Sequence, residues 1–283
     1  MSKIDVMHQE TLKKLLNEPW EVDNRAKWED GSPVMTKRIP FVVNEYDLSK
    51  EFPASTIRPV PFKTCFREID WIYRQRSNNV NDFKGKIWDS WADETGSIGK
   101  AYGAQIAKGV FGYPSQMDYI LEEGKKNPTS RRLIMEMWNP DDLADMNLPP
   151  CAHHVQVIFK GEYANMIVKQ RSQDFLTANF FNVCEYALLL VQIAIHCGHK
   201  PGKLLHVIGD CHLYNKHEEF AKELLTREPK KAPKLWVNPE ITNFYDFTED
   251  DFKLIDYETH PQITDIDVAI WPALWCSTVS YNQ

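Results

Sequence analysis

The chain has 283 residues, 43% of them hydrophobic and 12% aromatic, with 33 basic against 40 acidic side chains and a net charge of -7. A chain this long buries roughly three quarters of the surface its unfolded form exposes, so one large core forms without disulfide or metal staples. Mixed charge, few glycines and scattered prolines exclude a disordered or low-complexity chain, and the acidic balance argues against a nucleic-acid coat while leaving room for one phosphorylated ligand held by a few arginines.

The N-terminus lacks the apolar run of a secretion signal, which predicts a cytoplasmic protein. His8 to Leu16 carries leucines at helical spacing and predicts an amphipathic helix, followed by a loop-rich stretch from Asp23 to Pro61. Cys65 to Tyr73 reads as a helix with Glu68 embedded among apolar residues, a carboxylate that needs a reason. A tryptophan-bearing loop then leads to a helix over Met117 to Lys125, and Arg131 to Trp138 alternates like a strand. Val155 to Lys169 predicts a hairpin about a Gly-Glu turn. Phe180 to His196 is apolar nearly all round and predicts a central buried helix closed by Gly198, while the longest apolar run within it, Tyr186 to Ile195, is about ten residues, interrupted by Gln192 and well short of a bilayer span. Beyond it come a short strand, Leu204 to Ile208, a charged helix, His212 to Arg227, and short strands at Leu235 to Val237 and Ile266 to Ile270. Without a regular β-α-β repeat, the class is α+β.

No phosphate loop, dinucleotide fingerprint or zinc-protease motif occurs, and six widely spaced cysteines without a C-x-x-C pair suggest reduced thiols. Chemistry must come from isolated polar residues. Cys151 follows Leu148-Pro149-Pro150, which presents the thiol from a rigid turn, as suits a nucleophile, although a buried structural cysteine fits the same position. A nucleophilic thiol needs a cation to lower its pKa from about 8.5. Arg171-Ser172 at a strand end and the Arg131-Arg132 pair offer the forks and hydroxyl that a phosphate takes, with a solvated pair as the bland reading of Arg131 and Arg132. Cys211, His212 and His217 make a weak metal set, and Trp88 with Trp91 reads more readily as packing than as a stacking platform.

The order L-P-P-C, Q-R-S-x-D, F-N-V-x-x-Y-A-L-L and G-D-x-H-x-Y resembles the folate-dependent thymidylate synthases from about Arg25 to Ile270, with residues 271 to 283 as a C-terminal extension. The stretch NPEITNFYDFTEDDFKLIDY is similar to a longer branch found in some bacteria and their phages. The resemblance implies a large twisted mixed sheet at a homodimer interface with helices on its other face. It also implies reductive methylation of dUMP to dTMP with 5,10-methylenetetrahydrofolate as carbon donor and reductant, without a metal, a membrane or an obligate nucleic acid. By resemblance Cys151 adds to C6 of the uracil ring, with Arg171 beside the thiol. Arg25, Arg171 and Ser172 hold the phosphate, and Arg131 and Arg132 come from the neighbouring subunit. Asn182 reads the O4 and N3 edge, and His212 and Tyr214 hold the ribose hydroxyl. Glu68 and Tyr102 serve the proton transfers, while Asp174, Trp88, Trp91 and Arg58 face the folate, with Arg58 in place of the usual lysine.

Four departures from the family pattern gather mostly on the folate side: Ala152 after the nucleophile, Gln173 where cysteine is common, Ala178 and Phe180 in place of a glycine and a proline, and the 13 residues after Ile270. They leave a second reaction open, a dUMP or dCMP hydroxymethylase that adds water in place of hydride and releases tetrahydrofolate. The related deoxycytidylate hydroxymethylases look different at the base-reading position, with aspartate in place of Asn182.

Overall fold

The computed structural model describes residues 1–264, 266 and 267. Helix α1 (Lys3–Asn17) precedes β1 (Glu21–Lys27) and a long β2 (Pro33–Asp47), so most of the stretch expected to be loop is strand. The alternation was hidden because β2 turns Thr36, Lys37 and Asn44 inward and leaves Phe41 and Val43 exposed, reversing the usual apolar-in pattern.

Helix α2 (Phe62–Ile69) passes into one π-type turn, Asp70–Gln75, and the expected Cys65 to Tyr73 helix is these two pieces. The tryptophan loop carries a single helical turn, Asp89–Trp91, ahead of the short α3 (Gly103–Ile106) and α4 (Gln116–Lys126). Of the strand expected over Arg131 to Trp138, only β3 (Ile134–Glu136) forms. β4 (Ala152–Lys160) and β5 (Tyr163–Asp174) make the expected hairpin about Gly161, whose φ of 58° suits glycine.

Helix α5 (Asn179–His196) is the expected core helix; Gly198 ends it at φ 73°. Among the described residues it is the helix long and apolar enough to cross a bilayer, and it is buried in the fold. β6 (Lys200–Tyr214) extends well past the expected Ile208, so the charged helix begins later, as α6 (Glu218–Thr226). β7 (Lys234–Val237) pairs with β8 (Phe252–Ile255) as a small separate sheet. Ile266 lies outside any strand, and 268–283, with the rest of that expected strand and the tail, lie outside the described residues.

The main sheet runs β1-β2-β6-β5-β4-β3. All neighbours are antiparallel except β5 and β6, and α5 makes the crossover that a parallel pair requires. The mixed sheet with helices meets the α+β expectation. α5 packs on β5 and β6 and against α2, while α1 packs on β2 and α6. Val22, Phe41, Val43 and Ile158 remain exposed on the strands. One line across the sheet departs from regular geometry. Phe41 takes φ 60° beside Gly209, β4 slips register between Ala152 and His154, and a Cβ on Gly209 would meet the Arg171 carbonyl at 3.1 Å.

Candidate active site

A cavity of about 280 Å³ opens where α2, the tryptophan loop, the start of β4, the ends of β5 and β6 and the first turns of α5 converge. Of the residues expected at a site, Glu68, Trp88, Trp91, Tyr102, Cys151, Arg171, Ser172, Asp174, Asn182, His212 and Tyr214 all line it. These positions span nearly 150 residues of sequence, so their convergence comes from the fold.

The two prolines deliver Cys151 to the entry of β4, where three groups hold it. Its backbone N–H donates to the Tyr102 hydroxyl at 3.0 Å, and its carbonyl accepts from the Arg171 N–H at 2.8 Å. Arg171 donates from Nε to the Pro150 carbonyl at 3.0 Å and from Nη2 to that of Pro149 at 2.8 Å, which leaves Nη2 3.8 Å from Cys151 Sγ. Its guanidinium also lies over the Trp138 ring, 5.6 Å from the centroid. The expected cation is therefore in place, but the expected net lowering of the thiol pKa is not. Burial pushes the Cys151 thiol up, and Arg171 only opposes that rise.

Tyr102 holds the thiol's backbone at some cost, since φ 43° is a strained value for a side-chain-bearing residue. Its ring packs edge-on to Trp88 at 5.0 Å, and Trp88 packs likewise on Trp91 at 5.8 Å. Burial raises the Tyr102 hydroxyl well above its usual pKa, with the neighbouring Cys151 adding to the rise, so it acts as a neutral donor and acceptor.

Glu68 is 6% exposed, and Oε2 is buried without a hydrogen-bond partner among the described residues. Burial lifts its carboxyl to about 7, with Trp88 and Glu185 restraining the rise. A carboxyl poised there exchanges protons near neutrality in either direction. Across the cavity, the Asn182 carboxamide is held from both ends. Oδ1 accepts from Gln170 and Gln173, each at 3.2 Å, and Nδ2 donates to Glu185 at 2.8 Å. Gln170 is braced in turn by His206.

On the remaining walls, His212 and Tyr214 meet edge to face at 5.0 Å near the end of β6, and Ser172 pairs in register with Asp210. Asp174 caps the turn after β5, accepting from the Leu176 and Thr177 backbone and the Thr177 hydroxyl. Arg58 does not line the cavity. Its guanidinium donates to the Leu176 carbonyl at 2.8 Å and to Gln262 at 3.1 Å, bracing that same turn from behind.

Arg131 and Arg132 are exposed and line a different concavity, beside Phe111, Tyr113 and Tyr119, so a single chain does not bring them to Cys151. Arg25 lies in the irregular stretch of β1 between Asp23 and Lys27; its side chain lies outside the described residues. The five cysteines among the described residues are free thiols, and no cluster of three or more candidate metal ligands occurs among those residues.

Sequence reasoning missed Glu185 and Gln170. Glu185 carried the same signal that singled out Glu68, a carboxylate on an otherwise apolar helix, and it is 3% exposed in the cavity wall. Gln170 offered no comparable contrast among the polar residues that end β5.

A family model described as thymidylate synthase matches residues 7–270. The chain belongs to the thymidylate synthase family. A thymidylate synthase of Bacillus licheniformis is 41% identical over 283 aligned residues, covering 95% of this chain and all of that protein. One of Bacillus phage phi3T is 39% identical over 91% of this chain and 96% of its own length. The solved structure of a thermostable thymidylate synthase A from Bacillus subtilis superposes with a TM-score of 0.88 at 38% identity, covering 94% of this chain and 99% of that one.

Proposed function

We propose that this member of the thymidylate synthase family catalyses the reductive methylation of dUMP to dTMP, with 5,10-methylenetetrahydrofolate as one-carbon donor and reductant. The observation that carries the reading is the convergence of one thiol, one guanidinium, one near-neutral carboxyl and one oriented carboxamide in a single cavity.

Cys151 adds as thiolate to C6 of the uracil ring, and the electron pair moves to C5 and O4. Ligand closure and the phosphate-binding arginines must favour the thiolate, because the free site does not. The C5 carbon attacks the methylene of the folate, the C5 proton leaves through water held by Glu68 and Tyr102, and the tetrahydropterin is eliminated. Hydride from the tetrahydropterin then reduces the exocyclic methylene, and Cys151 departs, giving dTMP and dihydrofolate. Asn182 donates its free Nδ2–H to O4, whereas reading N3–H requires one of the two glutamines to release Oδ1. Arg171, Ser172 and Arg25 take the phosphate, His212 and Tyr214 the ribose, and Asp174, Trp88 and Trp91 the folate, with Arg58 supporting the Asp174 turn.

In this reading the catalytic unit is 1–270, residues 271–283 are an extension, and the enzyme works in the cytoplasm as a homodimer in which Arg131 and Arg132 reach the partner's phosphate. The hydroxymethylase alternative is not favoured, because the relatives are thymidylate synthases. Incubation with dUMP and methylenetetrahydrofolate gives dTMP and dihydrofolate in equal amounts. Tetrahydrofolate with 5-hydroxymethyl-dUMP would reject the synthase reading.

A further inference from the structure

Two carboxyl groups share the apolar wall of the cavity, Glu68 from α2 and Glu185 from α5, and both are more than nine-tenths buried. Among the described residues neither has an ion-pair partner. Two adjoining buried carboxylates without a cation cannot both stay ionised, so the pair retains a proton. Which group keeps it follows from their surroundings.

We propose that Glu185 is a positioning residue that remains a neutral acid, accepting from the Asn182 amide through Oε2 and directing its own proton toward Glu68. The arrangement ties the group that recognises the base to the group that moves protons, through one side chain. Rotation of the Asn182 carboxamide would set its oxygen against the Glu185 acceptor and its amide against the two glutamine donors, so the orientation is held from both sides.

Electrostatics agrees with the assignment. Burial first, and then Glu68, lift Glu185 well above the usual carboxyl range, while Glu68 stops at about 7 with Glu185 among the groups that hold it down. The other titratable groups facing the pair are Cys65 from α2, Tyr73 from the π turn, Tyr102 before α3 and Cys184 and Tyr186 from α5. Burial raises Cys65 and all three tyrosines, and a thiol or phenol supplies no positive charge in either form.

The inference rests on the proposed uracil chemistry, so its first test needs no turnover. A difference infrared spectrum of wild type against Glu185→Gln at pH 7.5 should show a protonated carboxyl band that the wild type has and the variant lacks. Loss of carboxylate bands would overturn the proposal. In kinetics, glutamine offers the same acceptor to Asn182 and the same donor to Glu68, so Glu185→Gln should keep kcat and the KM for dUMP within about threefold. Glu185→Leu should lower kcat by about tenfold or more and move the Glu68 limb of the pH–kcat profile upward by about one unit. If glutamine is as damaging as leucine, Glu185 is not a neutral positioning acid. Absence of methylation in the wild type would instead count against the synthase reading and leave the infrared result standing.

Discussion

The surroundings of half-buried Cys151 and buried Glu68 both work against ionisation, and each side chain leaves a measurable trace of it. For Cys151, Arg171 is the counterweight to burial. Arg171→Ala should move the pH midpoint of thiol alkylation upward, and an unchanged midpoint would show that the guanidinium at 3.8 Å does not act on the thiol. Cys151→Ala should reduce turnover by about 10⁴-fold or more while phosphate-dependent dUMP binding persists. For Glu68 the sign is opposite to that of an ordinary surface carboxylate. Its folded pKa is raised to about 7, so the stability linked to its proton is present below about 4.5 and is lost as pH rises through 7. Glu68→Gln should therefore be more stable than wild type at pH 8, by an amount on the order of 3 kcal/mol, with the difference vanishing near pH 4.5 in denaturant titrations. His206 works the other way. Burial lowers it to about 4, so its contribution is full above about 6.5 and fades as pH falls toward 4. Individual reactive residues were legible because each broke a local pattern: a thiol behind two prolines, a carboxylate in an apolar helix. The partners that tune them, Gln170 and His206 above all, were not, because their meaning lies in contacts between distant strands.

Helix α1 shows what an element can contribute without entering the cavity. Its His8 is 1% exposed and stacked between Phe175 at 4.4 Å and Phe180 at 4.0 Å, while Asn179 donates to its Nδ1 at 3.1 Å. Burial, aided by Arg58, lowers its pKa well below the usual value, so it packs as a neutral ring. Phe180, which departs from the family proline, thus has a partner of its own, and the turn from Asp174 to Phe180 is braced by α1 and by Arg58 together. His8→Ala should cost about 2–4 kcal/mol of stability and raise the KM for folate more than that for dUMP. Equal effects on both would place the damage elsewhere. At this scale the strong apolar periods of α2, α4 and α5 and the β4–β5 hairpin were readable. The central β2 was not, because polar residues occupy its inward positions, and the G-D-C-H run disguised the end of β6 as the start of a helix.

The whole molecule carries an unfinished surface. Phe41 is 82% exposed and Val43 55%, on strands whose other face is covered by helices, and the Arg131-Arg132 pair stands away from the chain's own thiol. Both features fit the proposed homodimer. Mixing Cys151→Ala chains with chains carrying Arg131→Ala and Arg132→Ala, each inactive alone, should restore about a quarter of wild-type activity after random re-association, since one site per mixed dimer is complete. No recovery would mean that the arginines do not serve a partner. Sequence alone revealed the family resemblance over most of the chain, but the exposed sheet face needed coordinates, because apolar residues on strands normally signal the inside.

Gly209 lies between that outer face and the reactive cavity. Phe41 stands on one flank in β2 and Arg171 on the other in β5, and a Cβ at Gly209 would meet the Arg171 carbonyl at 3.1 Å. Whatever rests on Phe41 therefore lies one strand away from the strand that carries Arg171. Dilution that strips a partner from the sheet should loosen the thiol's surroundings before any helix melts, so that specific activity falls with enzyme concentration while far-ultraviolet circular dichroism stays unchanged.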